Sequence, residues 1–177
     1  VLCAQASAAD HVPAVALRYH VGVAGFLGDL SGDQGRLVNE AEVDTLFVQR
    51  PEGHLRGYLG ITTLWTRADH DGSAFPFDGG AELNVLGFLF MANLCGRPDV
   101  PVSGCLGLGN GTVNVNEPGD RRDYGTWNYL ARVDVEPWRG LVLTAQGRYI
   151  GRVEQQVAGV NSAFALWTAQ AGAGWQF

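Results

Sequence analysis

The sequence predicts an all-β protein: an eight-stranded antiparallel up-and-down transmembrane β-barrel with its oily face outward. Three observations carry this. Hydrophobic residues make up 46% of the 177 residues, yet no run of about 18 apolar residues occurs, so this content cannot form a membrane-crossing helix. It is spread instead in period-two alternation, the signature of half-buried strands. The final segment shows it best, with Ala165, Trp167, Ala169, Ala171, Ala173, Trp175 and Phe177 on one face and Leu166, Thr168, Gln170, Gly172, Gly174 and Gln176 on the other. Aromatic residues bracket the alanines. From Trp167 to Phe177 a strand climbs roughly 33 Å, which a tilt of about 40° reduces to about 25 Å, the height of an apolar membrane band.

The first strand, Pro13 to Phe26, sets Val15, Leu17, Tyr19, Val21 and Val23 against Ala14, Ala16, Arg18, His20, Gly22 and Ala24. The Gly- and Asp-rich stretch that follows reads as a loop. The second, Leu37 to Arg50, opposes Ala41, Val43, Thr45 and Phe47 to Glu40, Glu42, Asp44 and Leu46, and Pro51-Glu52-Gly53-His54 turns the chain. The third runs from Leu55 to Arg67, and residues 68–80 form a long polar loop. In the fourth, Ala81 to Cys95, Glu82 and Asn84 share a side with Leu86, Phe88 and Phe90, so either a bulge shifts the register or part of the strand faces a packed interior. Val102 to Val113 is the glycine-rich fifth, and Asn114 to Tyr124 reads as a third long loop. The sixth, Gly125 to Glu136, and the seventh, Leu141 to Arg152, alternate clearly about the turn Pro137-Trp138-Arg139-Gly140. A fourth loop leads to the last strand. Alternate connections are thus short and long, as in a barrel with short periplasmic turns and longer extracellular loops, which puts both termini in the periplasm. Residues 1–12 then form an N-terminal periplasmic segment and residues 13–177 the barrel.

Composition narrows the function. All twelve basic residues are arginine and the net charge is −6; no basic stripe exists for phosphate, which argues against a nucleic-acid partner. The 25 glycines recur within strands, where they make room for bulky neighbours in a narrow barrel. Cys95 and Cys105 flank a turn-rich connection. They read either as a disulfide closing a hairpin at its base or as two buried thiols, and Cys3 is left over.

The inner face collects Arg18, His20, Glu40, Glu42, Asp44, Arg56, Glu82, Arg132, Asp134, Glu136 and Arg148. An eight-stranded barrel is just wide enough to be filled by side chains. Unpaired buried charge costs several kcal/mol, so these groups are expected to pair into a salt-bridged plug. The aromatics fall at strand ends: Phe26, Trp65, Trp127, Tyr129, Tyr149 and Trp167 on the loop side, and Phe47, Tyr58, Trp138, Trp175 and Phe177 on the turn side. Two belts one bilayer core apart are what a membrane barrel requires. A soluble ligand-binding barrel would need the inverse, an apolar lumen and a polar exterior.

This combination of strand count, alternation, loop asymmetry and terminal phenylalanine over residues 12–177 resembles the small eight-stranded bacterial outer-membrane barrels, the group of the OmpA transmembrane domain, OmpX and OmpW. The resemblance implies a bacterial outer-membrane location, contact with outer-membrane lipid and lipopolysaccharide, and an insertion signal at Ala173, Trp175 and Phe177 read by the barrel-insertion machinery. Such barrels serve as anchors, adhesins, solute passages and lipid A-modifying enzymes, and fold alone does not choose among these. The expected role is structural or interactive, with other envelope proteins as partners. The alternatives are a lipid A- or phospholipid-modifying enzyme and a narrow small-solute channel. For the enzyme, Asp69-His70-Asp71-Gly72-Ser73 is the one compact cluster of suitable residue types, and it reads more simply as a solvated loop. Asp69, Asp71 and Asp78 lack the ligand order of a calcium loop, and no cofactor is expected.

Overall fold

The computed structural model describes residues 14–28, 35–49, 55–69, 82–96, 101–117, 120–157 and 160–177. Eight strands follow one another: β1 (Val15–Gly28), β2 (Arg36–Gln49), β3 (Leu55–Asp69), β4 (Glu82–Gly96), β5 (Val102–Glu117), β6 (Asp120–Trp138), β7 (Leu141–Val157) and β8 (Val160–Gln176). Each pairs antiparallel with its neighbour in sequence, and β8 returns to β1, closing the barrel.

The stagger of the wall can be read from the register. Trp167 pairs with Tyr149, which pairs with Tyr129, then Leu108, Ala92, Leu59, Thr45 and Val15 in turn. Val15 lies beside Phe177 and accepts its N–H at 2.9 Å. One circuit thus returns to β8 ten residues further along the strand. Ten residues of stagger over eight strands correspond to a tilt of roughly 40° and a lumen only wide enough for side chains.

Two connections differ from the sequence reading. Residues 114–124 and 153–164 were expected to be loops, but β5 and β6 stay paired as far as Glu117 and Asp120, and β7 and β8 as far as Val157 and Val160. Only two residues separate the strands of each hairpin. The backbone ladder outlasts the alternation because a hairpin clear of the membrane has no apolar face to maintain. At an axial rise of about 2.5 Å per residue, both hairpins reach about 15 Å beyond Trp167. They also part from each other, since the β6–β7 ladder ends at Asn128 and Ile150 and β7 shifts register between Ile150 and Val153.

In β4 the pairing with both neighbours carries no shift, so the bulge is excluded. Val85, Leu89, Met91, Asn93 and Cys95 are buried while Phe88, Phe90 and Leu94 are exposed. The strand is apolar on both faces, and this blurred its period.

Candidate functional site: the filled lumen and its outer belts

Within the regular part of the wall, short of the register shifts at Leu46/Val48 and Val135/Trp138, the described even-numbered residues of β1, β2, β3, β6, β7 and β8 face the lumen, and the middle of the barrel fills with charge. Arg18, His20, Glu40, Glu42, Asp44, Arg132, Asp134 and Arg148 are all buried. Arg18 donates to Asp44 at 2.7 Å and to Glu42 and Asp134 at 3.2 Å each. Arg132 reaches the same three carboxylates, donating to Glu42, donating to Asp44 at 3.0 Å and lying 3.2 Å from Asp134. Two guanidiniums thus interlock with three carboxylates contributed by β2 and β6, tying opposite walls together. Arg148 forms a two-pronged pair with Glu40, 2.5 Å from Nη2 and 3.2 Å from Nε, donates to Asn128 at 3.0 Å, and joins the first network through Glu42 at 3.6 Å. Gln146 bridges Glu40 and Gln170 at 2.8 and 2.9 Å. Such forked charge-assisted bonds fix orientation as well as energy.

Small wall residues make this possible. A Cβ on Gly60 would collide with the Asp44 carboxylate, and one on Gly174 with the Arg18 side chain. Glycine at these positions opens the space that the network occupies.

Toward the loop end the filling changes character. Ala24, Phe26, Val38, Leu64, Val85, Leu89, Val113, Ile150, Phe164 and Leu166 form one buried apolar cluster. The rings of Phe26 and Phe164 sit 5.9 Å apart and tilted, a favoured aromatic geometry. Phe26 was expected in the loop-side interface belt, but it is completely buried in this cluster. Position decides: it continues the even-numbered face of Arg18 and His20, so it turns inward whatever its affinity for an interface. Tyr58 is a second correction of the same kind. It shares the inward face of Arg56 and packs against Cys95 and Cys105 near the turn-side mouth. Those cysteines, opposite each other on β4 and β5, are joined as a disulfide. The lumen therefore holds two tiers, charged and apolar, where the sequence suggested charge alone.

Other expected inner residues are placed as follows. Arg56 is buried at the turn-side mouth, and half-buried Glu136 accepts a hydrogen bond from the Gly140 N–H at 3.0 Å. Gly140 has φ of 85°, a turn conformation that favours glycine. The Glu82 side chain lies outside the described residues, as do His70, Asp71, Ser73, Asp78, Cys3 and the segment 1–12. So does the Asp69 side chain. Among the described residues, no group of three or more His, Cys, Asp or Glu side chains is arranged to hold a metal ion.

The outer face is apolar. Trp65, Trp127, Tyr129 and Tyr149 are exposed toward the loop side, and Phe47, Trp138, Trp175 and Phe177 toward the turn side. Trp167 is half-buried and pairs with Tyr149, which lies beside Tyr129 with ring centroids 6.4 Å apart. Between the belts stand exposed Leu17, Val21, Val43, Leu59, Ile61, Phe90, Leu108 and Val133. On β8 the alternation holds from Trp167 to Phe177, whereas Ala165, beyond the belt, is buried with Phe164 and Leu166. Trp167 and Phe177 are ten residues apart, about 25 Å along the axis. A water-soluble barrel would expose no such ring of large apolar side chains over buried ion pairs.

No family model matches the sequence, and no curated protein matches it. Solved structures do. Neisserial surface protein A superposes with a TM-score of 0.69 at 13% identity, covering 93% of this chain and 97% of that one. Ail, the attachment invasion locus protein of Yersinia pestis, gives 0.56 at 17% identity over 94% and 100%. The outer membrane protein OprG of Pseudomonas aeruginosa gives 0.58 at 11% over 93% and 97%. The chain has the fold of these small eight-stranded outer-membrane β-barrels, and its apolar exterior over a charged, paired interior is the arrangement of a barrel resident in the bacterial outer membrane.

Proposed function

We propose that this barrel is a closed outer-membrane anchor or scaffold whose work is done by the hairpins it carries and not by its lumen. One observation carries the reading: both tiers of the interior are packed across the barrel, the charged one by Arg18, Arg132 and Arg148 and the apolar one by Phe26, Leu64, Leu89 and Leu166. A porin needs an aqueous channel, which eight strands filled in this way do not leave. The β5–β6 and β7–β8 hairpins meanwhile extend well past the aromatic belt on a rigid base. This is where a binding surface belongs, since loops positioned by a stable scaffold carry interaction residues.

In this reading the turns face the periplasm and the long hairpins face outward, amid lipopolysaccharide. Ala173, Trp175 and Phe177 present an outward-facing edge to the insertion machinery, and other envelope proteins dock on the hairpins. Two of the similar structures are described as a surface protein and an attachment protein, which agrees in kind. The enzyme alternative lacks support from His20, which is buried 3.9 Å from Glu40 and far from the lipid face.

The test is crosslinking in native outer membranes with the intact chain and with a chain whose hairpin tips, residues 114–123 and 154–163, are replaced by short turns. A crosslinked envelope partner that disappears with the tips is the expected result. Identical crosslinks from both chains, or none from either, would overturn the scaffold role.

A further inference from the structure

The β5 strand carries the weakest instructions in the wall. Between buried Cys105 and Val113 its inward positions are Gly107, Gly109 and Gly111, while Leu106, Leu108, Asn110 and Thr112 are exposed on the outer face. β4 leans into two of these glycines: a Cβ on Gly109 would collide with the Phe90 carbonyl oxygen, and one on Gly111 with that of Phe88. A slip of one residue is forbidden, because it would turn β5 inside out. A slip of two keeps every face. If β5 moved two residues toward the loops along β4, Gly107 would replace Gly109 opposite Met91, Gly109 would replace Gly111 opposite Leu89, and Leu106 would replace Leu108 opposite Ala92. Glycine again meets each carbonyl, and leucine again faces lipid. A strand that repeats itself in this way specifies its register weakly.

Cys105 breaks the degeneracy. It stands opposite Cys95 and is bonded to it, whereas the slip would set Ser103 against Cys95 and Cys105 against Asn93. What depends on the choice lies in the lumen. β5 and β6 are joined by two residues and paired along their length, so a displaced β5 carries Arg132 and Asp134 with it. Two residues amount to roughly 5 Å along the barrel axis, which takes both side chains off Glu42, Asp44 and Arg18.

We propose that the Cys95–Cys105 disulfide is a register pin: it selects one of two alignments that the glycine repeat of β5 leaves open, and with it the ion pairs that fill the lumen. Its position suits the task. The cysteines are ten residues apart, so they meet within the β4–β5 hairpin, a short loop closure that needs no other strand. In the closed barrel both are buried beside Tyr58. The Arg132 guanidinium lies 3.7 Å from the Cys105 sulfur, so the pin touches the network whose placement it decides.

The experiment reads cross-strand backbone contacts between β4 and β5 by NMR of the full chain folded in detergent micelles. The wild-type chain is expected to give one set, with Ala92 facing Leu108. The double variant Cys95→Ser/Cys105→Ser is expected to add a second set, with Ala92 facing Leu106. Gly107→Ala, placed in that double variant, separates a register pin from a plain staple. In the native alignment the added methyl first meets the movable side-chain ends of Asn93 and Met91; in the slipped one it is driven into the Phe90 carbonyl. The triple variant should therefore return to the single native set. Where the double variant folds too poorly for spectra, heat-modifiable migration in gels gives the folded fraction, and the pin requires Gly107→Ala to raise it. A single native set in the double variant, a second set that survives Gly107→Ala, or a poor folded fraction that Gly107→Ala does not raise would overturn the proposal.

Discussion

The charged middle of the lumen and the apolar tier beside the loops solve one problem by opposite means. Both must fill a tube about two side chains wide without leaving empty space. In the middle, Arg18 and Arg132 span the gap with long side chains and pin Glu42, Asp44 and Asp134. Their directional bonds fix which strands face each other. Near the loops, Phe26, Leu64, Leu89, Ile150, Phe164 and Leu166 fill the same width by volume alone. The difference teaches that a polar lumen and a closed lumen are separate properties: this barrel would be closed by its upper tier even where its charges rearranged.

Removing a partner from the charged tier should do most damage. Arg132→Met leaves three buried carboxylates sharing Arg18, and a broken buried network of this kind costs about 5 kcal/mol. Urea unfolding in lipid vesicles, followed by tryptophan fluorescence, would measure the loss; a cost near zero would mean that the network contributes nothing beyond filling space. Phe26→Ala attacks the other tier and should cost about 4 kcal/mol through the cavity it leaves. Because Phe26 belongs to the apolar cluster and the ion-pair partners of Arg132 are Glu42, Asp44 and Asp134, the double variant should lose close to the sum, and a large departure would show the two tiers to be one unit. Gly60→Ala drives a methyl into the Asp44 carboxylate and should cost about 2 kcal/mol by overpacking. Smallest is Tyr149→Ala on the outside, which removes a ring contact with Tyr129 worth about 1 kcal/mol. The same unfolding assay ranks all four, and a Tyr149 effect larger than that of Phe26 would invert the account of inside and outside.

The sequence made the wall more legible than its filling. Alternation in β1, β2, β6 and β8 identified which residues face lipid, because one apolar and one charged face leave a strong period. Where both faces are apolar, as in β4, the period fades: the strand itself was legible, but not which of a bulge or a packed interior spoiled its alternation. Where neither face needs to be apolar, as in the two long hairpins, paired strands read as loops. Phe26 and Tyr58 were misplaced for a different reason. Their parity already put them on the inward face with Arg18 and Arg56, and a preference of aromatics for interfaces was allowed to outweigh it. Geometry is the stricter rule, since a strand cannot turn one side chain over without a bulge. Which of the inward charges pair left no trace in the sequence, because charge pairing across a lumen depends on which rungs meet.

The central claim, a lumen closed by two tiers of side chains, is tested most directly by conductance of the folded protein in planar lipid bilayers. The account predicts no stable steps of porin size at neutral pH. Persistent, ohmic steps of that size from the wild-type chain would contradict it.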